Sequence, residues 1–230
     1  MAARRQPNPH SESVDDYLKA ILALEGPGER RAMSTALADR LGVAPASVTN
    51  MLQKLAALPT PLVEYERHHG VRLTEAGKRR ALEVLRHHRL IETFLYQVLD
   101  YPLEEVHEEA ERLEHFISER FEERIAVKLG NPAIDPHGHS IPAMDGKMAK
   151  EISVPLTQVM GEGTFEVDSI SDRDAAIVKL LRTSGIAPGV QLRLREPRAK
   201  DVYSVSVGES AQVLHLSREA ADTIRVHPSH

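Results

Sequence analysis

Between Ser34 and Leu73 the chain carries the pattern that leaves it least freedom. S-T-A-L-A-D-R-L-G-V-A-P-A-S-V-T-N-M-L-Q-K-L runs from Ser34 to Leu55. Leu37, Ala38 and Leu41 share one helical face, Gly42 stops that helix, and Pro45 is suited to open the next. Helix, glycine turn and helix at this spacing make a helix-turn-helix. Leu62-Val-Glu-Tyr-Glu-Arg67 then alternates like a strand, His68-His69-Gly70 turns, and Val71-Arg72-Leu73 returns, which is a β-wing. A module of this kind over residues 1–75 sets its second helix in the major groove of double-stranded DNA. At the start of that helix Pro45, Ala46, Ser47, Thr49 and Asn50 are small or polar, suited to base edges and phosphates. Lys54, Arg67 and Arg72 are placed for phosphates. The same module can serve protein contacts instead; the spacing alone does not separate the two uses.

Bulk properties narrow the setting. At 230 residues the chain suits two or three small domains, and 41% hydrophobic with 27% charged residues is the balance of a folded, soluble protein. No apolar run approaches the roughly 20 residues of a membrane span, and the N-terminus lacks an apolar signal core, so a cytoplasmic location is expected. There is no cysteine, which excludes disulfides and thiolate metal sites and leaves only nitrogen and oxygen ligands. Net charge is −5. Residues 1–75 hold nine basic and nine acidic side chains, whereas 76–150 hold 11 against 14 and 151–230 nine against 11. The first segment is the least acidic without being basic, so phosphate affinity has to come from local clusters and helix N-termini.

Around the helix-turn-helix, a first helix of about 14–25 is opened by Ser13 and ended by Gly26-Pro27-Gly28. Residues 1–11 read as a loose arm. A long helix is expected from Thr74 to about Leu99, and another from Leu103 to Leu129 with the apolar stripe Val106, Ala110, Leu113, Ile117. The stretch from Gly130 to about Pro155, rich in Pro, Gly and Asp, reads as a linker. Beyond it, strand-like runs at 163–170, 191–195, 202–207 and 212–216, interrupted by a helix at 174–183, point to a small β-barrel. The expected architecture is mainly α with a β C-terminal domain. Its parts are a winged helix (1–75), a helical domain with linker (76–150) and a β domain (151–230).

The segment His107-Glu-Glu-Ala-Glu111-Arg-Leu-Glu114-His115 carries the chemistry. Read as a helix, positions 107, 111, 114 and 115 are i, i+4, i+7 and i+8, so two imidazoles and two carboxylates share one face. These are ligands for a divalent transition metal. His88 and Glu92 form an i, i+4 pair on the preceding helix, and Asp16 lies on the first. A Glu-rich helix face is also commonly just solvated; the second His/Glu pair is what favours metal. Enzyme signatures are missing: His107-Glu108-x-x-Glu111 lacks the second histidine of H-E-x-x-H, and no phosphate-binding glycine loop or nucleophile elbow is present. His10, His68, His69, His137, His139, His215, His227 and His230 fall in arms, turns or the β domain and are read as bland. A metalloenzyme of hydrolase or oxygenase type is the alternative from another class.

With these segments in place the chain resembles the diphtheria toxin repressor family of metal-dependent repressors over nearly its whole length. The resemblance implies a homodimer on a palindromic DNA operator, with neither membrane nor small organic substrate as partner. Its C-terminal domain would be SH3-like. A primary metal site would use Asp16, Glu111, Glu114 and His115. An ancillary site would use His88, Glu92, His107 and an acid from the terminal domain, Asp172 with Asp174 as its rival. In the manganese-responsive branch His88 joins the primary site instead. Iron-type members look as if they place Met and Cys where this chain has Asp16 and Glu111. Harder carboxylates there favour Mn²⁺, with Fe²⁺ as the alternative and Co²⁺, Zn²⁺ or Cd²⁺ as binders in vitro. Lys19 stands where a two-ion manganese branch has a further Glu. The function implied is repression of metal-ion uptake genes.

Overall fold

A computed structural model describes residues 11–25, 31–149, 152–195 and 201–229. The arm at 1–10, the Gly26–Gly28 stop, His10 and His230 lie outside the described residues. The chain forms two compact units, residues 1–87 with 142–147, and 88–141 with 148–230.

The first unit is the winged helix. It comprises α1 (Glu12–Leu24), α2 (Ser34–Leu41), α3 (Pro45–Ala56), strands β1 (Val63–Glu66) and β2 (Gly70–Leu73), and the first half of α4 (Glu75–Val98). The N-cap of α1 is Ser11, not Ser13. Gly42 sits between α2 and α3 in the left-handed region (φ 62°, ψ 31°), the conformation that reverses the chain between two helices. β1 and β2 pair antiparallel from Val63 opposite Leu73 to Glu66 opposite Gly70. Leu18, Ile21, Leu37, Leu52 and Leu55 are fully buried at the centre, each worth about 1.5–3 kcal/mol of transfer free energy. On α1, Asp15 is buried and accepts both Nε and Nη2 of Arg80 at 2.8 Å.

The second unit begins with the rest of α4. The single helix expected over 103–129 is two helices, α5 (Val106–Leu113) and α6 (Glu119–Lys128). Phe116 N–H donates to Leu113 O at 3.0 Å, tightening the last turn, and Ser118 opens α6 by accepting from Phe121 N–H. Glu114 and His115 therefore sit in the turn that follows α5. Leu113, placed on the apolar stripe by periodicity, is 38% exposed, because the break re-aims that end of the stripe.

The proline-rich stretch does more than connect. Ile134 bridges Ser140, Asp135 Oδ1 accepts from the N–H groups of His137 and His139 at 2.9 Å, and Ile141 packs with Leu90 and Ile125.

The terminal domain is a six-stranded antiparallel sheet. In chain order its strands are β3 (Val154–Pro155), β4 (Gly163–Ile170), β5 (Gln191–Leu194), β6 (Val202–Val207), β7 (Leu214–Ser217) and β8 (Ile224–Pro228). They lie in the order β3-β8-β4-β5-β6-β7. Helices α7 (Ala175–Thr183) and α8 (Arg218–Asp222) accompany them. α8 and β8 are additions to the expected elements. β8 is long enough to pair with both β3 and β4, and its alternating Ile224, Val226 and Arg225, His227 carry the strand period in the sequence. Leu103, just before α5, joins the core of this sheet.

Candidate metal centre

The second unit gathers His88 and Glu92 from α4, His107 and Glu111 from α5, Glu114 and His115 from the turn after it, and Asp172 from the loop after β4. Asp16 lies half-buried on α1 of the first unit.

His88 stands in the middle of the cluster. Its Nδ1 is 2.5 Å from Glu114 Oε2 and 3.8 Å from Glu111 Oε1. Its Nε2 is 3.0 Å from Glu92 Oε1 and 3.1 Å from His107 Nδ1. Glu92 Oε1 is in turn 3.2 Å from His107 Nδ1. These three atoms close a triangle of 3.0 to 3.2 Å sides. Donors held about 2.1 Å from one ion stand about 3 Å apart when adjacent and about 4.2 Å apart when opposite. The spacing therefore fits one divalent ion. Asp172 Oδ2, 3.6 Å from His107 Nδ1, completes a four-donor set. Asp174 is engaged elsewhere: its carboxylate caps α7, accepting from Ala176 and Ile177 N–H. The other side of His88 forms a set with Glu111 and Glu114. His115 Nε2 lies 3.5 Å from Glu114 Oε1. The sequence-based division into a primary and an ancillary group thus meets at one imidazole, which faces both.

Burial and charge oppose each other here. Burial pushes the Glu92 carboxyl up, but His88, His107 and His137 outweigh it and hold the group well below the usual carboxylate range. Asp172 is also lowered: burial and Glu92 push it up, and His139, His107 and His137 more than compensate. A buried cluster of carboxylates and imidazoles draws in protons or metal cations.

Sequence reasoning set aside three residues that the fold brings to this cluster. Asp135 and His137 form a donor set with Glu92, and His139 Nδ1 lies 3.4 Å from Asp135 Oδ2. The available signal was Asp135-x-His137-x-His139, three metal-ligand side chains two apart, hidden by its setting among prolines and glycines. Gly138 lets this loop approach the sheet. Its φ is +92°, a Cβ there would sit 2.2 Å from Asp168 O, and next to it Ile170 N–H donates to His137 O at 2.9 Å.

The DNA-facing residues lie on the first unit. Pro45, Ala46, Ser47 and Asn50 are exposed on α3, Thr49 is half-buried and donates to Pro45 O, and Lys54 is half-buried one turn further on. α3 has Ala44 at its N-cap and no side-chain cap bond, which leaves that end suited to a phosphate. Arg67 is exposed beside the wing turn. Arg72 is committed across the wing to Glu64, at 2.7 Å, so it is a less available phosphate ligand than its position in the sequence implies.

Comparison with known proteins accounts for all three parts of the chain. Residues 10–71 match the iron dependent repressor N-terminal DNA binding domain. Residues 74–143 match the iron dependent repressor metal binding and dimerisation domain, and 154–228 match the FeoA domain. The iron-dependent repressor IdeR of Mycobacterium tuberculosis is 26% identical over 94% of this chain and 96% of its own. Among solved structures, a manganese-dependent transcriptional repressor in complex with manganese is 36% identical, with a TM-score of 0.83 over 93% of this chain and 98% of that one. ScaR with bound Zn²⁺ is 31% identical, with a TM-score of 0.79 over 97% and 100%.

Proposed function

The chain belongs to the diphtheria toxin repressor family, and from that premise we propose that manganese is the ion to which this metal-dependent, DNA-binding transcriptional repressor responds. The family consists of repressors rather than enzymes, so the metalloenzyme alternative falls away. Among the described residues no helix is long and apolar enough to cross a membrane, in keeping with a cytoplasmic regulator.

The observation that carries the reading is the triangle of buried His88 and Glu92 with half-buried His107, at metal-donor spacing, in a chain that also holds a DNA-reading winged helix. Glu111, Glu114 and His115 would hold one ion, with Asp16, whose part comes from the resemblance alone. His88, Glu92, His107 and Asp172 would hold another. Carboxylates at positions 16 and 111 supply the hard donors that favour Mn²⁺. A bound divalent ion supplies positive charge and fixed donor directions. The protein's part is to hold the donors so that only the ordered form offers a full set. Differential affinity then shifts the population toward that form. In a homodimer, ordered winged helices would meet the two halves of a palindromic operator. Genes for metal-ion uptake are the targets such a device would serve.

Iron is the second reading, favoured by the similarity to an iron-dependent repressor along 94% of the chain. DNA binding to the protein's own upstream region, at fixed salt, first in chelator and then across Mn²⁺, Fe²⁺, Zn²⁺ and Co²⁺ titrations, tests both. Binding that appears at the lowest concentration of Mn²⁺ supports manganese. Activation first by Fe²⁺ moves the assignment to iron. Binding indifferent to chelator overturns metal control altogether.

A further inference from the structure

Helix α3 exposes Pro45, Ala46, Ser47, Asn50 and Gln53, and none of them is charged. Val48, Leu52 and Leu55 hold its opposite face in the core, fully buried. A helix face that meets only water ordinarily carries charges. The other helices here follow that habit: α2 exposes Asp39 and Arg40, and α6 exposes Glu119, Arg120, Glu123 and Arg124. The uncharged face of α3 is set apart from them, and Gln53 closes it at the C-terminal end.

Ala46, Asn50 and Gln53 are i, i+4 and i+7, one stripe along the helix. A homeodomain reads the major groove with helix positions i, i+3, i+4 and i+7. The i+3 position here, Thr49, is half-buried and spends its hydroxyl on Pro45 O at 3.2 Å. What the stripe can read follows from donor patterns. Asn and Gln pair bidentately with adenine N6 and N7, an alanine methyl packs on the thymine methyl, and guanine is taken by Arg or Lys. The stripe has the two amides and the methyl, and neither cation. Gln53 lies about 4.5 Å beyond Asn50 along the helix axis, and stacked base pairs are about 3.4 Å apart, so the two amides meet pairs about one step apart. A recognition helix enters the groove by its N-terminal end, so later residues stand higher above the base edges. Gln53 has one more methylene than Asn50 with which to reach them.

We propose that Gln53 is a further specificity-determining residue, whose amide pairs with an adenine next to the base pair read by Asn50. Each operator half-site then carries adjacent A·T pairs at its core. Gln53 has this role because α3 belongs to the part of the chain that matches a DNA binding domain, whichever ion activates the protein.

Selection from a randomised duplex library by the full chain, at fixed salt in saturating Mn²⁺ and again in Fe²⁺, reads the half-site directly. The wild type should select adjacent A·T pairs. Gln53→Ala should lose the preference at one of them, about 5- to 150-fold between adenine and the other bases, and keep it at the other. Gln53→Arg should move the preference at that same pair from adenine to guanine, a change that loss of stability cannot produce. An adenine analogue lacking the N7 acceptor at that pair should weaken the wild type and leave Gln53→Ala unaffected. A Gln53→Ala protein weakened alike on every sequence would make Gln53 a phosphate contact and overturn its role in reading bases. A wild-type site with guanine at that pair does the same. A wild type that selects no sequence in either metal would overturn the placement of α3 on DNA itself.

Discussion

His88 Nδ1 lies 2.5 Å from Glu114 Oε2, a buried imidazole from α4 against a buried carboxylate from the turn after α5. That contact exists because α5 ends at Leu113 and the chain turns Glu114 back toward α4 instead of continuing a helix. With Glu92 and His107 at its other nitrogen, His88 couples what the sequence presents as two separate ligand groups.

Replacing this residue should therefore damage both. His88→Ala is expected to weaken Mn²⁺-activated operator binding by a hundredfold or more, about 2.7 kcal/mol. His107→Ala, whose link to the other group is a single 3.8 Å approach to Glu111 without the close contact that His88 makes with Glu114, should cost less. Operator titrations of the two variants in Mn²⁺ decide it; a larger loss for His107→Ala would show that His88 is not shared.

Asp15 and Asp16 are neighbours with different tasks. Asp15 is 1% exposed and held by Arg80 through two hydrogen bonds. Its loss leaves the Arg80 guanidinium with only the more exposed Glu83 carboxylate, 2.9 Å from Nη1; losing a partner costs about 3–5 kcal/mol in a buried pair, and less here because Glu83 remains and Arg80 is 22% exposed. Asp15→Ala should thus lower the stability of the metal-free protein, measured by urea unfolding. Asp16→Ala should change that stability by less than about 1 kcal/mol, yet abolish activation by Mn²⁺. An Asp16→Ala protein with normal operator affinity in Mn²⁺ would remove Asp16 from the ligand set.

On the DNA side, base readout and charge should separate. Asn50→Ala is expected to flatten the preference among operator variants by about 1–3 kcal/mol at the affected position. Arg67→Ala should weaken binding to every sequence alike and reduce the slope of log K against log salt by about 1. An unchanged salt slope for Arg67→Ala would place that side chain off the phosphates.

The metal-free protein should respond to pH in a direction set by the loop histidines. Burial lowers His137 and His139, but Glu92 for the first and Asp135 for the second, with Asp172 beside both, raise them above the ordinary 6.5. They bind protons more tightly folded than unfolded, so their contribution is present below about pH 6.5 and is lost as pH rises through the raised values. Glu92 and Asp172, which are lowered, contribute above the ordinary carboxylate range and lose that contribution only in acid. The Tm in chelator should therefore fall between about pH 6 and 8, while saturating Mn²⁺, standing in for the protons, should remove the fall. Calorimetry with and without metal checks both; a Tm that climbs over this range in chelator would contradict the assignment.

Local chemistry was enough for much of this protein. Gly42, Pro45 and the alternation around the wing dictate a winged helix, because a left-handed turn, a fixed φ and a period of two are properties of a few adjacent residues. The spacing from His107 to His115 marks metal chemistry for the same reason. Tertiary structure decided how the ligands group. It broke the 103–129 helix at Glu114, committed Asp174 to a helix cap and Arg72 to Glu64, set His88 between two donor sets, and folded a proline-rich stretch so that Asp135 and His137 face Glu92. Each of those outcomes depends on which side chains meet across long sequence separations in a low-dielectric interior, and periodicity along the chain carries no information about that meeting.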